Sequence, residues 1–180
     1  MQGFSQKNYI KITLLITLFT VIGLVVLFTQ PALLVHYPEN DTILTAEDFI
    51  VRSDTGEVTV GLSSWDQVIE VFPEGENLGK STVYRPLSDN CLLQFTKNEN
   101  ILDKMHIYGD YLTTSRGIKI GDSFADVEAR YGSDYTKMTQ ADRPGYFEAI
   151  YGCDDNNDII FKVQDQKIVK IILQRGISRE

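Results

Sequence analysis

The sequence predicts an α+β fold. The predicted fold begins with an N-terminal transmembrane helix. A tandem repeat follows, in which a helix precedes a three-stranded antiparallel meander, with the helices on one face of the sheet. Three observations predict it: an uncharged apolar run near the N-terminus, self-similarity between two later segments, and three strand-like segments after each helix-like one. The 180 residues are 43% hydrophobic and 23% charged, as in folded chains, which excludes wholesale disorder.

The charges are unevenly distributed along the chain. The formal net charge is -8, every acidic residue lies at or beyond Glu39, and Lys7 and Lys11 are the only charged residues before it. The 15 basic residues of the later region therefore face 25 acidic ones. Because binding to nucleic-acid phosphates requires clustered Lys and Arg, we expect no nucleic-acid partner.

The apolar run from Ile12 to Thr29 carries no charge and resumes at residues 32–35. As a helix it would be about 27 Å long, close to the ~30 Å hydrocarbon core of a bilayer. We therefore predict a transmembrane signal anchor at 12–35 that contacts the lipid bilayer. The preceding lysines place residues 1–11 in the cytoplasm, so the expected location is the cell membrane, single-pass, with an extracytoplasmic C-terminal domain. A cleaved secretory signal and a buried core helix are the alternatives.

Residues 36–56 are predicted to form a connector, rich in turn residues, in which Thr45 caps a short helix. The chain has two cysteines, Cys91 and Cys153, both beyond this connector. One disulfide and two buried free thiols both fit an even count in an exported domain. Their spacing matches neither a metal site nor a redox pair.

Residues 57–112 and 113–180 are predicted to be two copies of one αβββ repeat. In each copy a serine, Ser64 or Ser123, precedes about ten residues with apolar positions at helical spacing. The serine oxygen can accept a hydrogen bond from the first helical turn. The strand-like segments are 81–85, 91–97 and 101–108 in the first copy, and 146–151, 158–163 and 167–173 in the second.

The segment GIKIGDSFADVEARYG at 117–132 and the closing KIVKII at 167–172 carry a resemblance to a family. They resemble the tandem αβββ modules of β-lactamase-inhibitory proteins and the single-copy module of outer-membrane assembly lipoproteins of the small protein A type. The resemblance covers residues 57–175 and implies a non-catalytic fold for protein–protein contact in periplasmic or extracellular settings. The lipid-accepting cysteine and the inhibitory loop have no counterpart here, so β-lactamase inhibition is not implied.

Residues suited to catalysis are scarce. The two histidines are His36, in the connector, and His106, in a predicted strand, and neither belongs to a nucleophile, metal or nucleotide motif. Asp154, Asn156 and Asp158 match the first half of a calcium loop. Ile159 stands where that loop requires glycine, so a solvated turn is favoured over weak calcium binding. We expect no enzymatic activity, no cofactor and no metal.

The sheet face opposite the helices is the candidate binding site. Strand alternation places Ile168 and a set of partner-binding residues on this face, away from the expected core. The predicted partner-binding residues are Leu92, Gln94, His106, Tyr108, Ile160, Lys162, Lys170 and Ile172. Their apolar content exceeds what a solvated face requires, which indicates docking, although the connector or the loops could instead cover the face.

The sequence thus predicts a membrane-anchored, non-catalytic, extracytoplasmic protein-binding module that presents a sheet face to an envelope or secreted partner. The alternative is an inhibitor or immunity-type factor that blocks an extracellular hydrolase through its loops. The loops proposed for that role are 73–80, 86–90 and 133–145.

Overall fold

Strands dominate the computed structural model, which describes residues 33–40, 42–79, 82–87, 90–98, 100–154 and 157–176, apart from the side chains of residues 153 and 154. The strands are β1 (Leu33–His36), β2 (Ile50–Arg52), β3 (Glu57–Thr59), β4 (Gly75–Asn77), β5 (Val83–Pro86), β6 (Cys91–Phe95), β7 (Leu102–Ile107), β8 (Thr113–Thr114), β9 (Thr136–Gln140), β10 (Tyr146–Asp154), β11 (Asn157–Gln164) and β12 (Lys167–Arg175). The helices in this part of the chain are α1 (Trp65–Val71) and α2 (Phe124–Tyr131), and a 3-10 turn spans Ala46–Phe49.

The strand pairing corrects the predicted fold class. Nine strands form one antiparallel sheet in the order β1-β9-β10-β11-β12-β7-β6-β5-β4, and a second sheet has the order β3-β2-β8. The described chain is mostly β, and the predicted α+β repeat of a helix plus a three-stranded meander is wrong. Each helix is instead followed by four consecutive strands of the large sheet.

The additional strands come from segments that lack apolar alternation. β4 lies inside the predicted loop 73–80 and pairs with β5, and β9 lies inside the predicted loop 133–145 and pairs with β10. Their neighbours satisfy backbone N–H and C=O groups that a loop would leave to water. Pairing of this kind does not depend on the side chains of the added strand, which is why the sequence pattern missed it.

The expected membrane anchor also needs correction. Among the residues that the structure describes, no helix is long and apolar enough to cross a membrane. Residues 33–35, the predicted end of the anchor, belong to β1, whose backbone pairs with β9. Residues 12–32 of the predicted anchor lie outside the described residues. The predicted transmembrane signal anchor and single-pass location in the cell membrane are therefore not supported.

Both predicted helix starts are confirmed. Ser64 Oγ accepts a hydrogen bond from the backbone N–H of Gln67, and the Gln67 side chain accepts one from the N–H of Ser64 at 2.9 Å. Ser123 and Asp126 form the same reciprocal pair, at 3.2 Å in each direction. These contacts satisfy first-turn donors that otherwise have no partner in the helix. The helices are shorter than the ten residues expected.

The two helices cover the same face of the large sheet. From α1, Trp65 packs on Phe95, with ring centroids 4.8 Å apart. From α2, Phe124 packs on Phe147 at 4.8 Å and Tyr131 on Phe161 at 5.2 Å. The strand register places these sheet residues on one side of the sheet. We call the opposite side, which the helices do not contact, the open face.

An ion pair joins the 3-10 turn to the segment before α2. Arg116 Nε lies 2.6 Å from Asp48 Oδ1, and Arg116 Nη2 lies 3.0 Å from Asp48 Oδ2. The guanidinium also lies 4.5 Å from the ring centroid of Tyr131. Burial alone would raise the pKa of Asp48, but hydrogen bonds from Arg116 and Thr45 outweigh it and hold that pKa below its ordinary value. The pair therefore fixes a buried carboxylate in its charged form.

Removing the cation should destabilise the fold. The change Arg116→Ala leaves Asp48 buried and unpaired, and we expect the free energy of unfolding to fall by about 3 kcal/mol. Arg52→Ala is the matched control, since it removes an exposed pair with Glu57, and it should cost less than about 1 kcal/mol. Urea unfolding of the two variants measures the difference, and equal losses would contradict this account.

Candidate protein-binding face

The eight residues predicted to bind a partner lie together on the open face. They come from β6, β7, β12 and β11, which are consecutive neighbours in the large sheet, and from Tyr108 directly after β7. Tyr108 belongs with them because its ring stacks on His106 at 6.5 Å and lies 4.6 Å below Lys170 Nζ. None of the eight is fully exposed, since neighbouring side chains on the pleated surface shield one another.

A row of mostly apolar side chains crosses the middle of the open face, perpendicular to the strands. Successive register pairs link its five members, which we call the apolar row: Ile150, Ile160, Ile172, His106 and Leu92. Ile172 is 8% exposed. The other four keep more of their surface in contact with water. Such a row is the type of surface that a protein interface can cover.

A charged row lies on one side of the apolar row. Lys162 Nζ donates a hydrogen bond to Glu148 Oε1 at 2.7 Å, and the Tyr146 hydroxyl donates to the same oxygen at 2.7 Å. Burial alone would raise the pKa of Glu148, but these two hydrogen bonds outweigh it and lower that pKa. Lys170 continues the row in its contact with Tyr108.

A second polar row lies on the other side. The register aligns Asp158 with Gln174, Gln174 with Lys104, and Lys104 with Gln94. Burial raises the pKa of Asp158, and its Oδ1 is buried without a hydrogen-bond partner in the described part of the chain. This row therefore contains an acceptor whose hydrogen-bonding capacity is not used within the described residues.

His106 is a neutral member of the apolar row. Burial is the largest cause that lowers its pKa to about 4, and the positive charges of Lys170, Lys104 and Lys162 lower it as well. Its Nδ1 is buried without a hydrogen-bond partner among the described residues. His106, predicted on the open face, is thus half-buried and uncharged at neutral pH.

Two irregularities in the sheet change the predicted composition of the face. Ile168 pairs with Val163 and Lys170 with Lys162, so Val169 is an extra residue in β12. Ile168, predicted on the open face, is consequently 1% exposed in the core. A similar extra residue, Asp103, lies between Leu102 and Lys104 in β7. Strict alternation from the buried end of each strand cannot locate such bulges.

Sequence reasoning also missed several residues of the open face. Ile150 could have been found, since it lies between buried Ala149 and Tyr151 in a strand that the sequence predicts. Glu148, two residues before Ile150 in the same strand, could have been found by the same alternation. Lys104 and Asp158 also follow from alternation, since each lies two residues before a predicted face residue, His106 or Ile160, in a strand that the sequence predicts.

The described residues contain no group of three or more His, Cys, Asp or Glu side chains that could hold a metal ion. The side chains of Asp154 and Asn156, from the calcium-loop alternative, lie outside the described set, and Ile159 is a fully buried strand residue. Cys91 is buried in β6, and the side chain of Cys153 is outside the described set, so one disulfide and two free thiols both remain open.

Comparison with protein-family models, with curated proteins and with solved structures finds no match to this chain. The resemblance to β-lactamase-inhibitory proteins and small protein A lipoproteins remains a prediction from residues 57–175.

The environment of His106 predicts its titration. We expect its midpoint in an NMR titration at about pH 4, and a higher midpoint in Lys170→Gln, which removes one of the charges. Since an unfolded histidine ionises near pH 6.5, the contribution of His106 to stability should fall as the pH drops from about 6.5 towards 4. His36→Gln assigns the second histidine signal, and a midpoint near 6.5 for His106 would contradict this environment.

Proposed function

We propose that this chain is a non-catalytic protein-binding module that makes contact with its partner through the open face. The observation that supports the proposal is the apolar row, in which side chains of five adjacent strands lie in one line between two polar rows. An apolar centre with a polar rim is the usual arrangement of a protein interface.

The chemistry of the face favours binding over catalysis. Glu148 is held in an ion pair with Lys162, and the pKa of His106, about 4, makes it a poor general base near neutral pH. The inhibitor alternative relied on loops 73–80, 86–90 and 133–145, and the first and the last of these contain strands of the large sheet. The face-binding hypothesis is therefore the one that we carry forward.

A single charge in the apolar row tests the proposal. Ile160→Asp should reduce capture of the partner at least about tenfold, because an aspartate would be buried without a partner at the centre of the interface. The measurement is in-cell cross-linking of the full chain followed by quantitative mass spectrometry. Leu62→Asp is the matched control, since Leu62 is 68% exposed in the turn before α1.

Thermal unfolding of both variants should show that they remain folded. Partners captured equally by the parent chain, Ile160→Asp and Leu62→Asp would overturn the assignment of binding to the open face. The predicted loops would then be the next segments to test.

A further inference from the structure

We propose that the partner of the open face is a second copy of this chain, packed face to face about a two-fold axis that runs along the apolar row. This inference rests on the proposed function, because it identifies the protein that the face binds. Two antiparallel sheets that pack in this way bring their facing side chains into one layer about 10 Å thick.

The charge pattern of β11 is self-complementary about such an axis. Asp158, Ile160 and Lys162 follow one another on the open face, and each charge lies about 6.6 Å from Ile160 along the strand. Rotation about an axis through Ile160 places Ile160 on Ile160 of the second copy. It also places Asp158 opposite Lys162 of the second copy, and Lys162 opposite the second Asp158.

The unused hydrogen-bonding capacity on the face fits this pairing. Asp158 has a buried carboxylate oxygen without a hydrogen-bond partner in the described part of the chain. Lys162 donates to Glu148 and also interacts with the Tyr146 hydroxyl, and since an ammonium group has three N–H donors, at least one remains. A second copy would therefore bring a hydrogen-bond donor to each Asp158, in addition to the charge of Lys104 that already acts on it, without breaking the pair that Lys162 already makes.

The neighbouring strands bring no like charges together. On β7, Lys104 would meet Tyr108 of the second copy, a contact of the type that Lys170 already makes with Tyr108 at 4.6 Å. On β12, Lys170 would meet Gln174 of the second copy. His106 stays in the neutral apolar row, where an imidazolium would otherwise face its own copy across the axis.

The size of the contact predicts a reversible dimer. Five strands at about 4.8 Å spacing and a strand length of about 20 Å give roughly 500 Å² per copy, below the ~800 Å² of a standard interface. We therefore expect monomer and dimer to coexist, and the fraction of dimer should rise with the protein concentration.

Paired charge reversals test the arrangement. In a dimer of Asp158→Lys, the introduced lysine of each copy faces Lys162 of the other copy. In a dimer of Lys162→Glu, the introduced glutamate of each copy faces Asp158 of the other copy. Each variant alone should therefore dimerise about tenfold or more weakly than the parent. An equimolar mixture should recover a heterodimer, because both cross-axis pairs then join opposite charges. Sedimentation velocity of the full chain measures the strength, and native mass spectrometry distinguishes the heterodimer.

The matched control is Lys119→Glu, which makes the same charge change at an exposed loop residue before α2 and should dimerise as the parent does. Thermal unfolding of Lys162→Glu separates loss of fold from loss of dimer. A parent that stays monomeric, a mixture that forms no heterodimer, or a dimer that survives Ile160→Asp would overturn the inference.

These outcomes are distinguishable from failure of the proposed function. If the chain is monomeric but Ile160→Asp no longer captures a cross-linked protein other than this chain, the open face binds protein. Only the identification of the partner as a second copy is then wrong. If Ile160→Asp changes neither the dimer nor any cross-linked partner, the proposed function fails as well.

Discussion

The alternation of side chains along the strands is the constraint on which both faces of the large sheet depend. In β11, Ile159, Phe161 and Val163 are fully buried beneath the helices, and Ile160 and Lys162 consequently point the other way. A shift of one residue in register would move Lys162 into the core, at a cost of several kcal/mol for an unpaired buried charge. The composition of the open face is thus a direct consequence of core burial.

The small sheet depends on a different interaction. The Asp48–Arg116 pair ties the 3-10 turn to the segment before α2, and Arg116 also donates to the backbone carbonyl of Arg130 at 2.8 Å. Arg130 returns a hydrogen bond to the carbonyl of Arg116. Phe49, from the same turn, is 2% exposed in the core. The predicted connector 36–56 therefore contributes to the folded unit rather than only leading to it.

The electrostatics of the open face differ from those of the chain as a whole. The chain has a net charge of -8, yet the lysines at 104, 162 and 170 dominate the charges that act on His106. Glu148 offsets one of them through its ion pair. The lysines flank an uncharged centre, so they can select a partner by charge while the apolar row supplies the buried area.

Local features of the sequence determined the helices and several strands. Ser64 and Ser123 cap their helices through residues three positions away, and β11 follows from apolar alternation over adjacent residues. These signals act within a few residues, so one sequence is enough to recognise them. The eight predicted face residues come from the same alternation, which is why they share one face.

Only the tertiary structure determined the number of strands, the positions of the bulges and the secondary structure of residues 33–35. β1, β4 and β9 form because the backbone of a neighbouring strand satisfies their N–H and C=O groups. The pattern of their own side chains does not indicate a strand. The composition of residues 33–35 is equally compatible with a helix and with a strand, and pairing with β9 makes this segment a strand. Val169 becomes an extra residue only when β11 pairs with β12, which moves Ile168 into the core and completes the face that we propose as the interface.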